Sequence, residues 1–308
     1  MKSARKKGTV GVIGLGIMGG AFARHLAAAG WRVLGFDVDK SLKRKMTNAG
    51  VEFVDDVKVL AKRVPVMIAS LPHPSALDAT VKAICEEKLP PKVLIEASTF
   101  TLDDKTRAQA SLKKAGHVML DCPVSGTGVQ AEKKDIVIYC SGEAKAIAKW
   151  KKMLLEFSRG VHDVGEFGNG SKMKYVANLL VAIHNVASAE AMVLGMKSGL
   201  DPHQIVDLIS NGAGTSRMFE VRAPMMARDD YDKPTMKVKI FQKDMDVIGG
   251  YAAKLGVPVP CFAATLPIYA AAMSMGHGMQ DTAAVCAVIE RMAALRRAKP
   301  RKGSRRRK

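Results

Sequence analysis

Cysteine is scarce in this sequence, and its placement follows no pattern. The five cysteines among 308 residues are odd in number, lie far apart and include no C-x-x-C pair. A disulfide framework or a cysteine-ligated zinc site is therefore excluded, because both need cysteines in paired or closely spaced sets. We expect reduced thiols, which are typical of a cytoplasmic protein, and we predict no metal site.

Apolar runs of membrane-spanning length are also missing. The longest apolar stretch, at residues 176–196, is interrupted by Asn178, His184, Asn185 and Glu190. A membrane helix needs about 20 predominantly apolar residues, so no span is predicted. The basic start of the chain leads directly into a strand and a glycine-rich turn, without the apolar segment of a signal peptide. These features predict a soluble protein.

Acidic residues are absent from both ends of the chain, which are strongly basic. Four of the first seven and seven of the last ten residues are Lys or Arg, so that +8 of the net charge of +19 remains on the rest. Because such dense like charge cannot pack, residues 1–7 and 299–308 are predicted to be disordered tails. No aromatic residue lies among these charges to stack on bases, so nucleic acid is not expected as a partner.

The chain does contain a regular alternation of strand and helix patterns. From residue 9 to about residue 164, short β-branched runs alternate with amphipathic stretches of helical length, which is typical of a parallel sheet covered by helices. Past Gly168 helical patterns follow, beginning with about thirty residues that end at Gly199. We predict a doubly wound α/β Rossmann domain over residues 8–167 and an all-α domain for substrate binding and dimerisation over residues 168–298. The predicted strands are TVGVI, RVLGFD, VEFV, VMIAS, VLIEA, HVMLD and IVIYCS.

A glycine motif lies between the first predicted strand and the first predicted helix. Gly14, Gly16 and Gly19 have the G-x-G-x-x-G spacing of dinucleotide-binding loops. The first glycine permits a tight turn, the second admits the pyrophosphate, and the third lets the helix pack on the strand. The start of the helix presents free N–H groups to phosphates, so Ile17 and Met18 are predicted cofactor-binding residues.

The second predicted strand ends at an acidic residue that bears on the choice of cofactor. Asp37 lies 21 residues after Gly16, where a carboxylate accepts the ribose hydroxyls of a dinucleotide. Asp37 and the nearby Asp39 would repel the additional phosphate of NADP, although Lys40 and Lys43 weaken this argument. We predict NAD as the cofactor and NADP as the less favoured one.

A lysine and an asparagine begin the long helical segment GNGSKMKYVAN. Lys174 and Asn178 are four residues apart and therefore share one helix face. A lysine near a helix N-terminus, screened from water by a bound cofactor, favours its neutral form and can accept a hydroxyl proton. Lys172, two residues away, faces another direction and serves as a control lysine on the same helix. The alternative for Lys174 is an ordinary solvated charge at a helix start.

Four motifs in order identify a family resemblance. They are GLGIMGG at residues 14–20, DCPVSG at residues 121–126, GNGSKMKYVAN at residues 168–178, and the pair Lys243 and Asp244. Over about residues 9–292 the chain resembles the 3-hydroxyisobutyrate dehydrogenase family, the β-hydroxyacid dehydrogenases related to 6-phosphogluconate dehydrogenase. The segments GTSRMF, IFQKD and GHGMQDTAAV are similar to relatives that act on polyhydroxylated acids such as threonate.

The resemblance implies the reaction and the roles of particular residues. It implies NAD-dependent hydride transfer between a short β-hydroxy acid and its semialdehyde or keto acid. Lys174 would transfer the proton as general acid and base, and Asn178 would orient the substrate. Ser125 and Gly126 would hold the substrate carboxylate, and Thr99 would lie near the nicotinamide and the substrate. Ser125 as a simple turn residue is the alternative.

Further cofactor contacts are implied on both domains. Leu71 and Pro72 would line the cofactor groove, with plain loop packing as the alternative. Lys243 would close over the nicotinamide and reach the substrate, supported by Asp244; the alternative is a solvated helix face.

The chain departs from the family pattern on the substrate side. Thr127 and Lys134 stand where the family commonly has glycine, and Met236 stands where an aromatic residue is usual. We therefore expect a reshaped substrate loop and a substrate other than 3-hydroxyisobutyrate, with the same chemistry.

The sequence leaves several alternatives open. The same site could serve a reductase of an aldehyde acid such as tartronate or succinic semialdehyde. A different class of function would be a non-catalytic dinucleotide sensor or a polyanion-binding scaffold that uses the basic tails. The helix at residues 170–199 is apolar on more than one face, which predicts a homodimer or homotetramer.

Overall fold

The computed structural model describes residues 7–297, so the predicted tails lie outside the described residues except for Lys7. The chain divides into two compact units, with the division between Asn178 and Leu179. Lys7 belongs to the folded chain rather than to a tail, because its backbone N–H donates to the Gly30 carbonyl (3.3 Å) and its ammonium pairs with Glu156.

The first unit contains a six-stranded sheet in which every neighbouring pair of strands is parallel. The strand order is β3-β2-β1-β4-β5-β6, the order of a doubly wound dinucleotide-binding fold, which confirms the predicted fold class. The strands are β1 Thr9–Ile13, β2 Arg32–Phe36, β3 Val51–Phe53, β4 Val66–Ala69, β5 Val93–Glu96 and β6 Val118–Asp121. The helices between them are α1 Ile17–Ala28, α2 Leu42–Asn48, α3 Val57–Arg63, α4 Pro74–Cys85 and α5 Leu102–Lys114.

A second, three-stranded sheet completes this unit. It consists of β7 Val124–Ser125, β8 Val137–Cys140 and β9 Gly160–Asp163, with helices α6 Gly128–Glu132 and α7 Ala144–Leu154. Strand β8 is the predicted strand IVIYCS; it pairs antiparallel with β7 and parallel with β9. The sequence analysis missed β7 and β9, because one has two residues and the other, GVHD, has few apolar residues.

Apolar residues cover both faces of the six-stranded sheet. Val10 and Val12 of β1 belong to one buried cluster, while Ile13 belongs to the other, as the alternation of side chains in a strand requires. Phe22 of α1 stacks on Phe157 with ring centroids 4.5 Å apart. Burial on both faces explains why these strands are nearly continuous apolar runs in the sequence.

The second unit is helical, as predicted, and it begins within helix α8 (Asn169–Lys197), whose residues up to Asn178 belong to the first unit. Helix α8 starts at Asn169 and ends at Lys197, and Asp201 caps the next helix by accepting the Gln204 N–H (2.9 Å). The helices are α8 Asn169–Lys197, α9 Pro202–Ser210, α10 Arg217–Arg228, α11 Val238–Leu255, α12 Pro260–Ser274 and α13 Val285–Met292, with 3₁₀ turns at His277–Met279 and Thr282–Ala284.

A buried carboxylate organises the approach to α11. Asp281 accepts the backbone N–H of Thr235 (2.6 Å) and caps a 3₁₀ turn through the N–H of Ala283 (2.9 Å). It also forms an ion pair with the Arg222 guanidinium, whose Nε lies 3.4 Å from Oδ1. Asp281 is therefore a structural cap in the segment that leads into α11.

Candidate active site

The glycine loop between β1 and α1 has no room for side chains at two of its three motif positions. A Cβ at Gly14, which has a φ of +84°, would lie 2.2 Å from the Ser70 carbonyl oxygen. A Cβ at Gly19 would lie 1.9 Å from the Gly14 carbonyl oxygen. At Gly16, by contrast, it would meet no heavy atom of the described residues within 4 Å. The loop is closed on its protein side and open on the side where a pyrophosphate is expected.

The start of α1 fits a phosphate group. Gly16 is the N-cap residue and has no side chain with which to cap the N–H groups of the first turn. These groups and the helix dipole attract anions. Ile17 is exposed and Met18 is half-buried at this helix start. The glycine cradle and the uncapped helix start fit a nicotinamide dinucleotide.

Asp37 is held at the end of β2 by two backbone N–H groups. Its Oδ2 accepts from Leu15 in the glycine loop (2.6 Å), and its Oδ1 accepts from Asp39 (2.8 Å). Each carboxylate oxygen keeps a further lone pair for a ribose hydroxyl. Lys40, which weakened the prediction of NAD, forms an ion pair with Asp55 at 3.3 Å.

The loop after β4 lies against the glycine loop. A Cβ added to Gly14 would be 3.4 Å from Cδ2 of Leu71. The Leu71 N–H donates to Oγ of Ser98, one residue before Thr99, at 2.8 Å. Pro72 is exposed and Thr99 half-buried. The structure therefore brings together the loops that follow β1, β4 and β5.

In the segment predicted to hold the substrate carboxylate, Thr127 caps a short helix. Ser125 ends β7, and Gly126 has a φ of +139° with Ile136 Cγ2 only 2.6 Å from the position of a Cβ. The Thr127 N–H donates to Oε1 of Gln130 (2.9 Å), and the Gln130 N–H donates to Oγ1 of Thr127 (3.5 Å). This reciprocal cap explains the departure from glycine, because Thr127 starts α6.

Helix α6 packs against the helix that starts at the dinucleotide loop. A Cβ on Gly128 would lie 2.4 Å from Cγ2 of Ile17. Nε2 of His25 lies 3.0 Å from the carbonyl oxygen of Ala131. The loop predicted to hold the substrate carboxylate is therefore adjacent to the loop predicted to hold the cofactor phosphates.

Lys174 and Asn178 lie on the buried face of α8. Their exposed fractions are 9% and 4%, whereas Lys172 is exposed and donates to Oδ1 of Asn169 at 3.0 Å. Next to Lys174, the Tyr175 hydroxyl donates to the Phe100 carbonyl, one residue after Thr99, at 2.5 Å. This bond ties the Lys174 turn of α8 to the loop after β5.

A buried ionic cluster, which the sequence analysis missed, underlies these loops. The Lys105 ammonium lies 2.6 Å from Oε2 of Glu96, 2.7 Å from Oδ1 of Asp121 and 2.7 Å from the Ser98 carbonyl oxygen. Asp121 in turn accepts the backbone N–H of Ser171 (2.7 Å) and its hydroxyl (2.8 Å). The Lys105 cluster comprises Lys105, Glu96, Asp121, Ser98, Ser141 and Ser171.

The charge of this lysine is set by two opposing effects. Burial alone would lower the pKa of Lys105, but the carboxylates of Asp121 and Glu96 outweigh it and raise this pKa above its usual range. Lys105 is therefore an ammonium at neutral pH. A sequence signal for its burial exists, since Lys105, Ala108 and Leu112 have the spacing of one helix face. The surrounding acids and bases of α5 obscure that signal.

The remaining predicted residues belong to the second unit. Lys243 and Asp244 lie on α11, and Nζ of Lys243 is 3.6 Å from Oδ1 of Asp244. The Lys243 side chain is 31% exposed, unlike the exposed Lys239 on the same helix. Their contact with a cofactor or substrate stays a prediction.

Two protein families match consecutive parts of the chain. The family described as NAD binding domain of 6-phosphogluconate dehydrogenase matches residues 9–165. The family described as NAD-binding of NADP-dependent 3-hydroxyisobutyrate dehydrogenase matches residues 168–289. Together they bear out the order of motifs found in the sequence.

Individual relatives extend over most of the chain. L-threonate dehydrogenase of Cupriavidus necator is 31% identical over 284 residues, which cover 91% of this chain and 95% of that protein. Glyoxylate/succinic semialdehyde reductase 2, chloroplastic, of Arabidopsis thaliana is 27% identical over 289 residues, covering 92% and 79% of the two chains. The crystal structure of 3-hydroxyisobutyrate dehydrogenase from Salmonella typhimurium has a TM-score of 0.83 at 27% identity, covering 91% of this chain and 99% of that one.

These relatives are named as dehydrogenases or reductases, and the matches cover 91% or more of this chain, so a non-catalytic sensor or a polyanion-binding scaffold is not favoured. The cofactor is a nicotinamide dinucleotide, as both family matches and the glycine cradle indicate. The chain belongs to the 3-hydroxyisobutyrate dehydrogenase family, in its threonate-dehydrogenase-like subgroup, and is an NAD(P)-dependent hydroxyacid dehydrogenase or reductase.

Proposed function

We propose that the protein interconverts a short β-hydroxy acid and its semialdehyde or keto acid, with Lys174 as general acid and base. The observation that carries this proposal is the burial of Lys174 and Asn178 on one face of α8, beside the loop of Thr99. An exposed lysine at a helix start is an ordinary solvated charge, whereas Lys174 is held on the buried face beside the loop of Thr99, where a bound substrate could exchange a proton with it.

Lys174 and Asn178 have different roles in the proposed reaction. When bound, the nicotinamide accepts or delivers the hydride. Lys174 in its neutral form accepts the hydroxyl proton during oxidation and returns it during reduction. Asn178, one turn further along α8, orients the reacting hydroxyl. The same two residues serve both directions of the reaction.

The substrate carboxylate is assigned to the turn after β7. Ser125 offers a hydroxyl, and the backbone N–H of Gly126 is the next donor. The N–H of Thr127 already donates to Gln130, so anion binding in this loop relies on the two preceding residues. We propose a polyhydroxylated acid such as threonate as the substrate. The similarity to L-threonate dehydrogenase supports that class.

We propose NAD as the preferred cofactor. Asp37 is held at the end of β2 by the N–H groups of Leu15 and Asp39, so its carboxylate has little freedom to move away from the position predicted for the ribose. A fixed negative charge disfavours an additional phosphate at this position. In Asp37→Asn, the preference for NAD over NADP in kcat/KM should fall on the order of tenfold or more.

The decisive experiment is a turnover screen with matched lysine variants. Threonate, 3-hydroxyisobutyrate, serine, glycerate, 4-hydroxybutyrate and 6-phosphogluconate are each tested with NAD and with NADP. On the acid that is turned over, Lys174→Ala should lower kcat on the order of a hundredfold to ten-thousandfold, while Lys172→Ala should stay near the wild type. Near-normal turnover by Lys174→Ala would refute the assignment of the general base.

We propose that the protein is a homodimer or homotetramer. The α8 stripe, defined as Leu180, Ile183, Ala187, Ala191 and Leu194, follows helical spacing, and Leu194 is 71% exposed. Within residues 7–297, α8 is also the helix that is long and apolar enough to cross a membrane, with 39% of its most apolar window buried. A second copy would cover the stripe. Light scattering that finds a 33.1 kDa monomer would overturn this proposal.

We propose a cytoplasmic location. All five cysteines are free thiols, and burial raises the pKa of Cys286 to about 12. Unpaired thiols are typical of a reducing compartment. Cell fractionation with an antibody against the chain tests this location.

A further inference from the structure

Three segments of the candidate site meet at one ammonium group, that of Lys105. Its acceptors are Glu96 at the end of β5, the Ser98 carbonyl before Thr99, and Asp121 at the start of the DCPVSG motif. The ammonium donates hydrogen bonds to the Ser98 carbonyl and to Asp121, and it forms an ion pair with Glu96. The side chain is fully buried, and water therefore has no access to replace any of the three contacts.

Asp121, which accepts a hydrogen bond from Lys105, also binds the start of α8. The first N–H groups of a helix have no partner within the helix. Here Asp121 accepts the N–H and the hydroxyl of Ser171, and Oγ of Ser141 accepts the N–H of Gly170 (3.0 Å). A Cβ on Gly170 would lie 2.5 Å from the Tyr139 carbonyl oxygen. The start of α8 therefore packs closely against the ends of β6 and β8, and Asp121 and Ser141 cap its free N–H groups.

Lys174 lies one helical turn after the capped residue Ser171. Ser171 and Lys174 are three residues apart and share a helix face. The next residue, Tyr175, donates to the Phe100 carbonyl. Thr99 is therefore flanked by Ser98, which is bonded to Lys105, and by Phe100, which is bonded to α8.

We propose that Lys105 is a positioning residue of the active site. It holds the start of α8, and with it Lys174, in register with the loops of Thr99 and of Ser125. It touches no reactant and carries no proton in the reaction. Because a misplacement of about 1 Å can lower a rate on the order of a hundredfold, the loss of this link should reduce turnover strongly. The kinetic part rests on the proposed function, and the structural coupling does not.

The same strand provides a matched control. Lys92 immediately precedes β5 at its opposite end and is also buried. Its ammonium donates to the Val64 carbonyl at 2.7 Å. Lys92→Met therefore removes a buried lysine of the same sheet without touching the Lys105 cluster.

The test combines amide exchange with kinetics on the full chain. Hydrogen–deuterium exchange is followed by mass spectrometry in Lys105→Met, Lys92→Met and the wild type. Lys105→Met should accelerate exchange in residues 96–100, 121–127 and 168–178 together. Its kcat per NADH-binding site should fall on the order of a hundredfold, with the KM for the dinucleotide changed less than about twofold. Lys92→Met should leave kcat within about twofold and those segments unchanged.

A second variant covers the case in which Lys105→Met does not fold. Lys105→Met combined with Glu96→Gln removes one of the two carboxylates that would be left uncompensated, and it should fold while keeping the kcat deficit. Normal kcat in this folded variant, or faster exchange confined to residues 96–105, would overturn the proposal. If the wild type oxidises none of the acids, the proposed function fails, and the exchange pattern alone decides the coupling.

Discussion

The two ends of the six-stranded sheet are built in different ways. At the amino end, three helix-to-strand turns repeat the same Ala-Gly pair, and their glycines Gly30, Gly50 and Gly116 have φ values of +91°, +81° and +79°. Glycine in this left-handed conformation is the ordinary way to end a helix. The loops at the carboxyl end share no such repeat. The amino-end turns only connect a helix to the next strand, and they share one conformation. The carboxyl-end loops, which are expected to bind the cofactor, each have a different sequence.

The two ends of the sheet also differ in how each one pairs its buried lysine. Lys92, at the amino end, donates to one backbone carbonyl, and burial lowers its pKa. Lys105, at the carboxyl end, lies between two carboxylates that raise its pKa despite its burial. Buried charges impose a desolvation cost and persist when they are paired and fully hydrogen-bonded. The carboxyl end therefore carries an ionic network that stability alone does not require.

The largest expected effect on stability comes from replacing each of the two buried lysines, which tests the difference between the two ends of the sheet. Lys105→Met should lower the free energy of unfolding by about 3 to 5 kcal/mol, because it leaves two buried carboxylates without their cation. Lys92→Met should lower it by about 1 to 2 kcal/mol, the cost of an unsatisfied carbonyl. Urea unfolding at neutral pH measures both, followed by the fluorescence of Trp31 and Trp150, which belong to the first unit. Equal losses would remove the distinction between the ends.

A smaller effect concerns backbone strain in the loops. Lys134, in the segment between α6 and β8, has a φ of +58°, which is unfavourable for a residue with a side chain. Lys134→Gly should therefore raise the free energy of unfolding by up to about 1 kcal/mol. Gly116→Ala, in an amino-end turn, should lower it by about 1 kcal/mol or more, although its Cβ meets no described atom within 4 Å. Thermal unfolding of both variants checks the opposite signs.

The sequence predicted the first unit well because its signals are local. All seven strand patterns form strands of this unit. In the second unit, α8 ends at Lys197, two residues before the predicted Gly199. The glycine spacing and Asp37 depend on backbone geometry within one βαβ unit, which the sequence encodes directly. Strands β7 and β9 were missed because their pairing partners, rather than their composition, make them strands.

The Lys105 cluster was missed for a related reason. Lys105 follows two aspartates and precedes Arg107, so its neighbourhood is typical of a solvated helix. Its partners Glu96 and Asp121 are adjacent to it only through the parallel pairing of β5 and β6, in which these two residues are in register. Contacts that depend on tertiary register have no local sequence signal. Thr127, by contrast, carries a local signal, because Gln130 lies three residues later in the spacing of a capping box.

The smallest expected effect is an acid sensitivity that belongs to the amino end. His117 is buried and accepts the Lys92 N–H at Nδ1 (3.3 Å); burial, and then the charge of Lys92, lower its pKa. The unfolded chain takes up a proton near pH 6.5 that the folded chain resists, so stability is present above that pH and is lost as the pH falls. The raised pKa of Lys105 has the opposite sign: its contribution is complete below about pH 10.4 and is lost only as the pH rises.

The urea midpoint should therefore fall between about pH 7.5 and pH 5 in the wild type, and His117→Gln should flatten this slope. An unchanged slope in His117→Gln would contradict this prediction, because the acid sensitivity would then come from titratable groups other than the buried histidine at the amino end.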